Sequence, residues 1–531
     1  MKPSTTYDAA VIGGGHNGLS AACYLATEGK KVILIEALDK VGGMASSGYL
    51  MPQAPQHLVH PCALDLMSLR VHPMMPIELQ LERHGFRQIE LSPAYAYLHP
   101  DGSSIVFWRD PEKTAAEIRR FSEHDAAEFL ALMKIVFAFI DIATPMMRVD
   151  PARKNLREKL GVLRSLLRNR ALRPEIMALM ASPAYQVIME RFEHPVTQSA
   201  LCCLLGAAGP ITNESTGIYF ALLGFLHRTG IGRVLGGMQM LSNAMAARFQ
   251  ELNGEILLRA SAAEIVVEHR TVKGVRLDDG RMINSRTVVS SIHPKFALDM
   301  VTPGAINRRI LAKVALVPAN AHGASPFKVD VALSGPISVA RHEACRPDGL
   351  SLRKCVLLIG TAEAVVENFR SAARGDVPKL PYMWITAPSA ADPTQAPAGQ
   401  DIAYLYAIAM PVSPRDGWDA IRDRVADQLI DRSSEYMDGL KNNEIARRVE
   451  ASPDLARRLN VLNGCVVHID TAATRSGLMR PAAGLGGSLP VAGLFLGGAG
   501  SHPGGGVTGA PGHNAAREIL ADFKRRRLRR S

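Results

Sequence analysis

No CxxC pair and no evenly spaced framework occurs among the seven cysteines of this 531-residue chain, at positions 23, 62, 202, 203, 345, 355 and 465. That excludes a zinc ribbon and a dithiol redox centre, and points to a reduced, cytosolic protein without a metal. No stretch approaches the ~20 uninterrupted apolar residues of a membrane-spanning helix. The longest candidate, Phe129 to Met147, is broken by Lys134, Asp141 and Pro145. Met1 to Thr6 is short and polar and lacks the apolar core of a secretory signal. Aromatic residues make up only 5% of the chain, and no basic segment is interleaved with them. Specific nucleic-acid recognition is therefore not expected. Internal repeats and low-complexity linkers are missing too, so a chain of this length should fold as two domains or more.

Acidic residues are fewer than basic ones, 50 against 61, and the excess of +11 is unevenly placed. Between Arg153 and Arg173 stand eight basic residues and one acid, Glu158, with Leu156, Leu160, Leu163 and Leu167 at helical spacing. Two expectations follow. Such a helix can pack its leucines on the domain with its charges in water, or lie on an anionic membrane surface as a peripheral attachment. The terminal run Lys524 to Arg530 reads as a frayed basic tail.

What the chain does have is glycine in loops that open helices. The strand Asp8 to Ile12 enters Gly13-x-Gly15-x-x-Gly18, a helix follows from Asn17 to about Glu28, and a second strand, Lys31 to Ile35, ends on Glu36. In this β-α-β unit the first glycine makes the turn, the second admits a pyrophosphate, and the third allows close helix–strand contact. Glu36 is placed for the hydroxyls of an adenosine ribose and disfavours a 2′-phosphate, leaving FAD or NAD. The pair Gly42-Gly43 favours FAD, because a turn there passes close under a pyrophosphate and ribityl chain.

A second glycine run, Gly497 to Ala510, follows the apolar strand Leu494-Phe495-Leu496 and precedes a helical pattern from Asn514 to Phe523. Two glycine loops at helix starts, at opposite ends of the chain, fit one large anionic cofactor held at both ends. The N-terminal loop takes the pyrophosphate. The loop at 504–508 takes the edge of a flavin ring that gains negative charge on reduction.

Between these loops the pattern changes several times. Ala94 to His99 and Ile105 to Trp108 form a hairpin, and Asp110-Pro111 starts a helix. Residues 112 to 227 are mostly helical. Short strands follow at 256–258, 264–267, 272–277 and 287–289, with Asp278-Asp279-Gly280 as the turn between the last two. Further strands are expected at 328–333, 355–359 and 403–410, and a long helix from Trp418 to Leu440. The organisation is α/β, with two interleaved domains. Residues 1–90, 228–310 and 456–531 form the discontinuous cofactor domain. Residues 91–227 and 311–455 form an α+β substrate domain of mixed sheet and helices, with the helical insertion 112–227.

These blocks resemble the glutathione-reductase-like flavoproteins, specifically the amine-oxidase and phytoene-desaturase branch. The resemblance runs through Gly14-Gly15-His16-Asn17-Gly18-Leu19, Glu36 with Gly42-Gly43-x-Ala45, Gly236-Gly237-Met238-Gln239 and Val288 to Pro294. It ends on Met479-Arg480-Pro481 and His502-Pro503-Gly504-Gly505-Gly506. The last blocks resemble carotenoid desaturases and desaturase-like carotenoid ketolases. They equally resemble the group of pyridine nucleotide-disulphide oxidoreductase domain-containing protein 2 and its bacterial relatives. The resemblance implies a Rossmann-type FAD-binding fold and FAD contacts at Gly13, Gly15, His16, Asn17, Gly18, Glu36, Gly42, Gly43, Met44 and Ala262. Near the C-terminus it implies contacts at Gly498, Ala499, His502, Pro503, Gly505, Gly506, Val507 and Thr508. Two departures stand out: Met44 where many relatives have Arg, and Ala499 where many flavoproteins have Asp on the ribityl chain.

The activity implied is oxidation of a hydrophobic, carotenoid- or polyprenoid-like small molecule, by desaturation of a C–C bond or at an allylic carbon. Hydride transfer to flavin N5 needs alignment and a dry cavity more than a general base. No catalytic side chain is assigned. His502 reads as a loop-shaping or cofactor-side residue, and His16 faces the cofactor. Met238, Met146-Met147 and Met177 to Met180 fill a core or line an adaptable tunnel. A flavin-fold binding or regulatory scaffold and an NAD-dependent dehydrogenase are the alternatives, and the sequence assigns no electron acceptor.

Overall fold

The computed structural model describes residues 6–72, 74–147, 156–472, 475–486 and 489–528. Arg153 to Asn155, the start of the basic segment, and Arg529 to Ser531 lie outside the described residues.

Ala9–Ile12 and Val32–Ile35 are apolar along their whole length, which suits strands covered on both faces. They sit inside a five-stranded parallel sheet in the order Leu494–Leu496, Val288–Ser290, Ala9–Ile12, Val32–Ile35, Glu255–Leu257. Segments from the start, middle and end of the chain therefore build one sheet. Its helix His16–Thr27 packs between Gln239–Glu251 and Ala510–Leu528. The fold is α/β.

A seven-stranded mixed sheet lies beyond it, in the order Glu444–Glu450, Ala324–Leu333, Asp401–Pro411, Met383–Thr386, Val356–Ile359, Tyr95–Leu98, Ser104–Phe107. Alternation divides its faces. Phe327, Val329, Val331, Leu405 and Ala407 pack with Trp418, Ile421 and Leu429 of the helix Trp418–Ser434. Register puts Tyr404, Tyr406, Trp384, Val356 and Tyr95 on the opposite face. Part of that face is covered by the helices between Pro111 and Thr229, and part faces a cavity.

Several elements differ from the sequence-based expectation. The turn Asp278-Asp279-Gly280 joins Thr271–Leu277 to Met282–Ser285, not to 287–289. Val288–Ser290 is buried throughout and is claimed by the parallel sheet, whereas Met282–Ser285 is half-buried. The last helix starts at Ala510 rather than Asn514, because the Thr508 Oγ1 accepts from the Ala510 N–H at 3.0 Å and caps it. It runs on to Leu528, so the basic residues 524–527 are helical and not frayed. The helix from Trp418 ends at Ser434, where the Ser433 and Ser434 hydroxyls donate back to the carbonyls of Leu429 and Ile430. In the amphipathic helix Leu156–Arg168, Leu160, Leu163 and Leu167 are exposed, so these leucines are not packed on the domain. Met238 is core, while Met146 and Met177 are exposed; none of the three lines the cavity.

Candidate functional site

The two sheets enclose a cavity of ≈ 690 Å³. One wall is the C-terminal edge of the parallel sheet, where the glycine loops leave the strands. Gly13, Gly15, His16 and Asn17 line it, with Glu36, Gly43, Met44, Ala262, Ala499, Gly506 and Val507. These eleven sequence-derived residues are brought together from positions scattered over the whole chain. Strand ends in one parallel sheet are the reason.

The N-terminal loop is shaped as a phosphate seat. The helix His16–Thr27 starts here, and its first N–H groups have no intrahelical partner. A Cβ on Gly15 would meet nothing within 4 Å, so the space in front of that backbone is open. The Asn17 Oδ1 and the His468 Nδ1 are buried on this cavity without a hydrogen-bond partner. Each Glu36 oxygen accepts one backbone N–H, from Gly14 at 2.6 Å and from Leu38 at 2.9 Å. Those bonds fix the carboxylate and leave each oxygen a further lone pair for a ribose hydroxyl. An open glycine cradle, orphaned polar atoms and an oriented carboxylate fit the pyrophosphate and the adenosine ribose of a dinucleotide.

The remaining sequence-derived residues shape the walls from behind and do not line the cavity. A Cβ on Gly18 would lie 1.9 Å from the Gly13 carbonyl oxygen, so glycine there permits the helix to cross the strand. Gly42 takes φ +133° and donates to the Gly14 carbonyl at 2.9 Å, pressing the second turn onto the first. Gly498 abuts the Ser291 carbonyl and Gly505 abuts Val467; a Cβ would fall within 2.2 and 2.6 Å respectively. Thr508 caps the last helix. His502 accepts from the Gly477 N–H through Nδ1 at 3.2 Å and donates through Nε2 to the Met146 carbonyl at 3.1 Å. It braces its loop against neighbouring segments, and Pro503 follows it in that loop.

Several titratable groups on the cavity wall are held neutral by burial. Burial pushes His16 down to about 4, although its bond to the Gly506 carbonyl works the other way. His468 falls to about 3, through burial first and then the neighbouring His293 and Arg480. Both rings are uncharged at pH 7. Burial raises the Cys62 thiol to about 11 and lifts the phenols of Tyr95, Tyr404 and Tyr406 above their ordinary range. Asp65 also lines the cavity, bound through Oδ1 to the Nε of the fully buried Arg233 at 2.9 Å.

Sequence reasoning missed the opposite wall. Tyr95, Trp384, Tyr404 and Tyr406 face the glycine loops from the seven-stranded sheet. Tyr95 meets Trp384 edge-on at 5.2 Å, and Tyr404 stacks beside Tyr406 at 5.8 Å. The only local signal is the i, i+2 spacing of Tyr404 and Tyr406 on one strand. It missed Arg480 as a structural centre as well. Although quoted in a motif, that residue had no assigned task. Its buried guanidinium donates to the carbonyls of Ala499, Val467 and Ile469 at 2.8–3.2 Å and so pins the C-terminal glycine loop.

With this geometry in place, comparison with known proteins gives a consistent result. The family described as flavin containing amine oxidoreductase matches residues 18–520. Pyridine nucleotide-disulfide oxidoreductase domain-containing protein 2 of Mus musculus is 27% identical over 99% of this chain and 94% of its own length. A lycopene-forming phytoene desaturase of Pseudescherichia vulneris is 26% identical over 94% of this chain and 96% of its own. A solved putrescine oxidase variant superposes with a TM-score of 0.63 at 15% identity, covering 99% of this chain and 100% of that one.

Proposed function

This chain belongs to the flavin containing amine oxidoreductase family and is an FAD-dependent oxidoreductase, and from that premise we propose that it oxidises a hydrophobic, terpenoid-like hydrocarbon chain by removing hydride from carbon. The observation that carries the proposal is the aromatic wall of Tyr95, Trp384, Tyr404 and Tyr406 opposite the glycine loops. FAD supplies the two-electron acceptor. The chain's own residues do the rest. Gly506 and Val507 line the cavity at the flavin end, just ahead of the helix Ala510–Leu528. With FAD bound, that N-terminus would favour negative charge developing near it by ~0.3–1 kcal/mol, and up to ~2 when partly buried.

The aromatic rings exclude water and offer flat apolar faces to a conjugated or unsaturated chain. The neutral His16, His468, Cys62 and tyrosines keep charge away from a C–H bond that leaves as hydride. A second cavity of ≈ 510 Å³ shares Tyr406, Val466 and Val467 with the first, giving length beyond the cofactor. A phytoene desaturase among the relatives supports the same substrate class.

The amphipathic helix supports delivery from a membrane surface. Its exposed Leu160, Leu163 and Leu167 lie among Lys159, Arg164 and Arg168, a face suited to anionic lipid. No helix among the described residues is long and apolar enough to cross a membrane. Co-sedimentation with anionic but not zwitterionic vesicles, abolished by Leu163→Asp, is the expected outcome.

The test of the function is anaerobic bleaching of the bound flavin's visible absorbance against carotenoids, polyprenoids and polar amines. Bleaching by the terpenoid arm is expected. Reduction by amines alone, or flavin that stays bound and is reduced by none, overturns it.

A further inference from the structure

Met44 stands where many members of the branch this chain resembles carry Arg, so the two phosphate charges of a bound FAD would need compensation from elsewhere. Lys40, the nearest lysine in that turn, is directed to the Ser47 carbonyl at 3.1 Å and does not line the cavity. Among the described residues the only arginines or lysines on the cavity wall are Arg457 and Arg458. They come from the end of the helix Ser452–Leu459, which belongs to neither glycine loop.

The two are not equivalent. Arg458 is committed to Glu450, with Nε at 2.6 Å and Nη2 at 3.2 Å. Arg457 has a side chain 78% exposed and reaches Asp454 only at 3.5 Å. Asp454 is already engaged by Arg422 at 3.1 Å. The charge of Arg457 is therefore available to a ligand.

Its place is right as well. Arg458 Nη2 lies 3.5 Å from the Pro61 carbonyl oxygen. Two residues on, the Ala63 N–H donates to the Met44 carbonyl at 3.1 Å. Next to Met44, a Cβ on Gly43 would stand 3.2 Å from the Gly15 Cα. Arg458, the 61–63 segment, the Gly43-Met44 turn and the loop at Gly15 thus follow one another along one side of the cavity, and Arg457, the preceding residue, lines the same cavity.

We propose that Arg457 binds the FAD pyrophosphate, supplying from the 452–459 segment the cation that the Gly42-Gly43-Met44 turn lacks. A planar guanidinium meets phosphate oxygens in a bidentate fork. The proposal rests on FAD as the cofactor, and FAD uptake by the unaltered apoprotein is the control for every comparison.

The experiment is titration of flavin-free protein with FAD and with riboflavin, followed by flavin fluorescence. Arg457→Ala is expected to weaken FAD about ten-fold or more, to leave riboflavin unchanged, and to flatten the salt dependence of FAD binding. Arg457→Lys should retain most of the affinity. Adding Met44→Arg to Arg457→Ala should restore it, since the new guanidinium rises from the turn itself. FAD affinity unchanged in Arg457→Ala overturns the proposal. So does an equal loss for riboflavin, or a double variant no better than the single one.

Discussion

The neutral His16 ring donates through Nε2 to the Gly506 carbonyl at 3.2 Å, tying the first glycine loop to the last across 490 positions of sequence. The first and last glycine loops are thereby held at a fixed spacing. Ser20 reinforces the link, its hydroxyl donating to the Gly509 carbonyl at 2.8 Å. The two bonds join the loops directly.

Two glycine substitutions should separate cofactor binding from folding. In Gly15→Ala the new methyl enters open cavity space, so the protein should fold with near-native thermal stability and lose flavin. In Gly498→Ala the methyl would stand 2.2 Å from the Ser291 carbonyl oxygen, so the fold itself should be destabilised. Melting temperature and flavin content, measured on both, give the distinction. Equal melting temperatures for the two variants would refute it.

Arg480→Met removes a guanidinium that satisfies three buried carbonyls. The variant should be destabilised by roughly 3 kcal/mol or more, because each orphaned polar group costs about 1–3 kcal/mol. The visible flavin band should broaden as the loop at 499–506 loosens. Chemical denaturation followed by fluorescence and absorbance checks both.

Acid should weaken the fold in a defined window. Burial lowers His16, His227 and His293 to about 4, and His60 and His468 to about 3. An unfolded histidine binds its proton near pH 6.5. Stability from these depressed groups is fully present above that value. It falls as pH drops toward 4, where the unfolded chain holds protons that the folded one does not. Melting temperature should decline across pH 6.5 to 4, more steeply than in His60→Gln, which lacks one contributor. A flat profile would count against neutral buried rings.

The aromatic wall should matter to substrate and not to cofactor. Trp384→Ala is expected to leave flavin content near native and to slow anaerobic bleaching by terpenoids by about ten-fold or more. Its indole N–H donates to the Cys203 carbonyl at 3.1 Å, so Trp384→Phe separates lost ring area from that lost bond.

Local pattern made the cofactor half of this protein legible. Gly13-x-Gly15-x-x-Gly18, Glu36 and Gly42-Gly43 stand close together in sequence because one β-α-β unit builds the seat. Their spacing reflects backbone sterics that few other residues satisfy. The C-terminal run was readable for the same reason, although its glycines proved to divide. Gly506 faces the ligand space; Gly498 and Gly505 allow close contacts behind it.

The wall opposite the glycine loops was not legible, since Tyr95, Trp384, Tyr404 and Tyr406 are brought onto one face only by sheet register. Nor does any local motif mark Arg457, which lines the cavity from the end of the 452–459 helix. The sequence alone determined the cofactor class, because a dinucleotide is gripped by backbone at short, local glycine turns. Tertiary structure alone decided the shape and lining of the cavity, because side chains from separate strands meet there only once the sheets have closed.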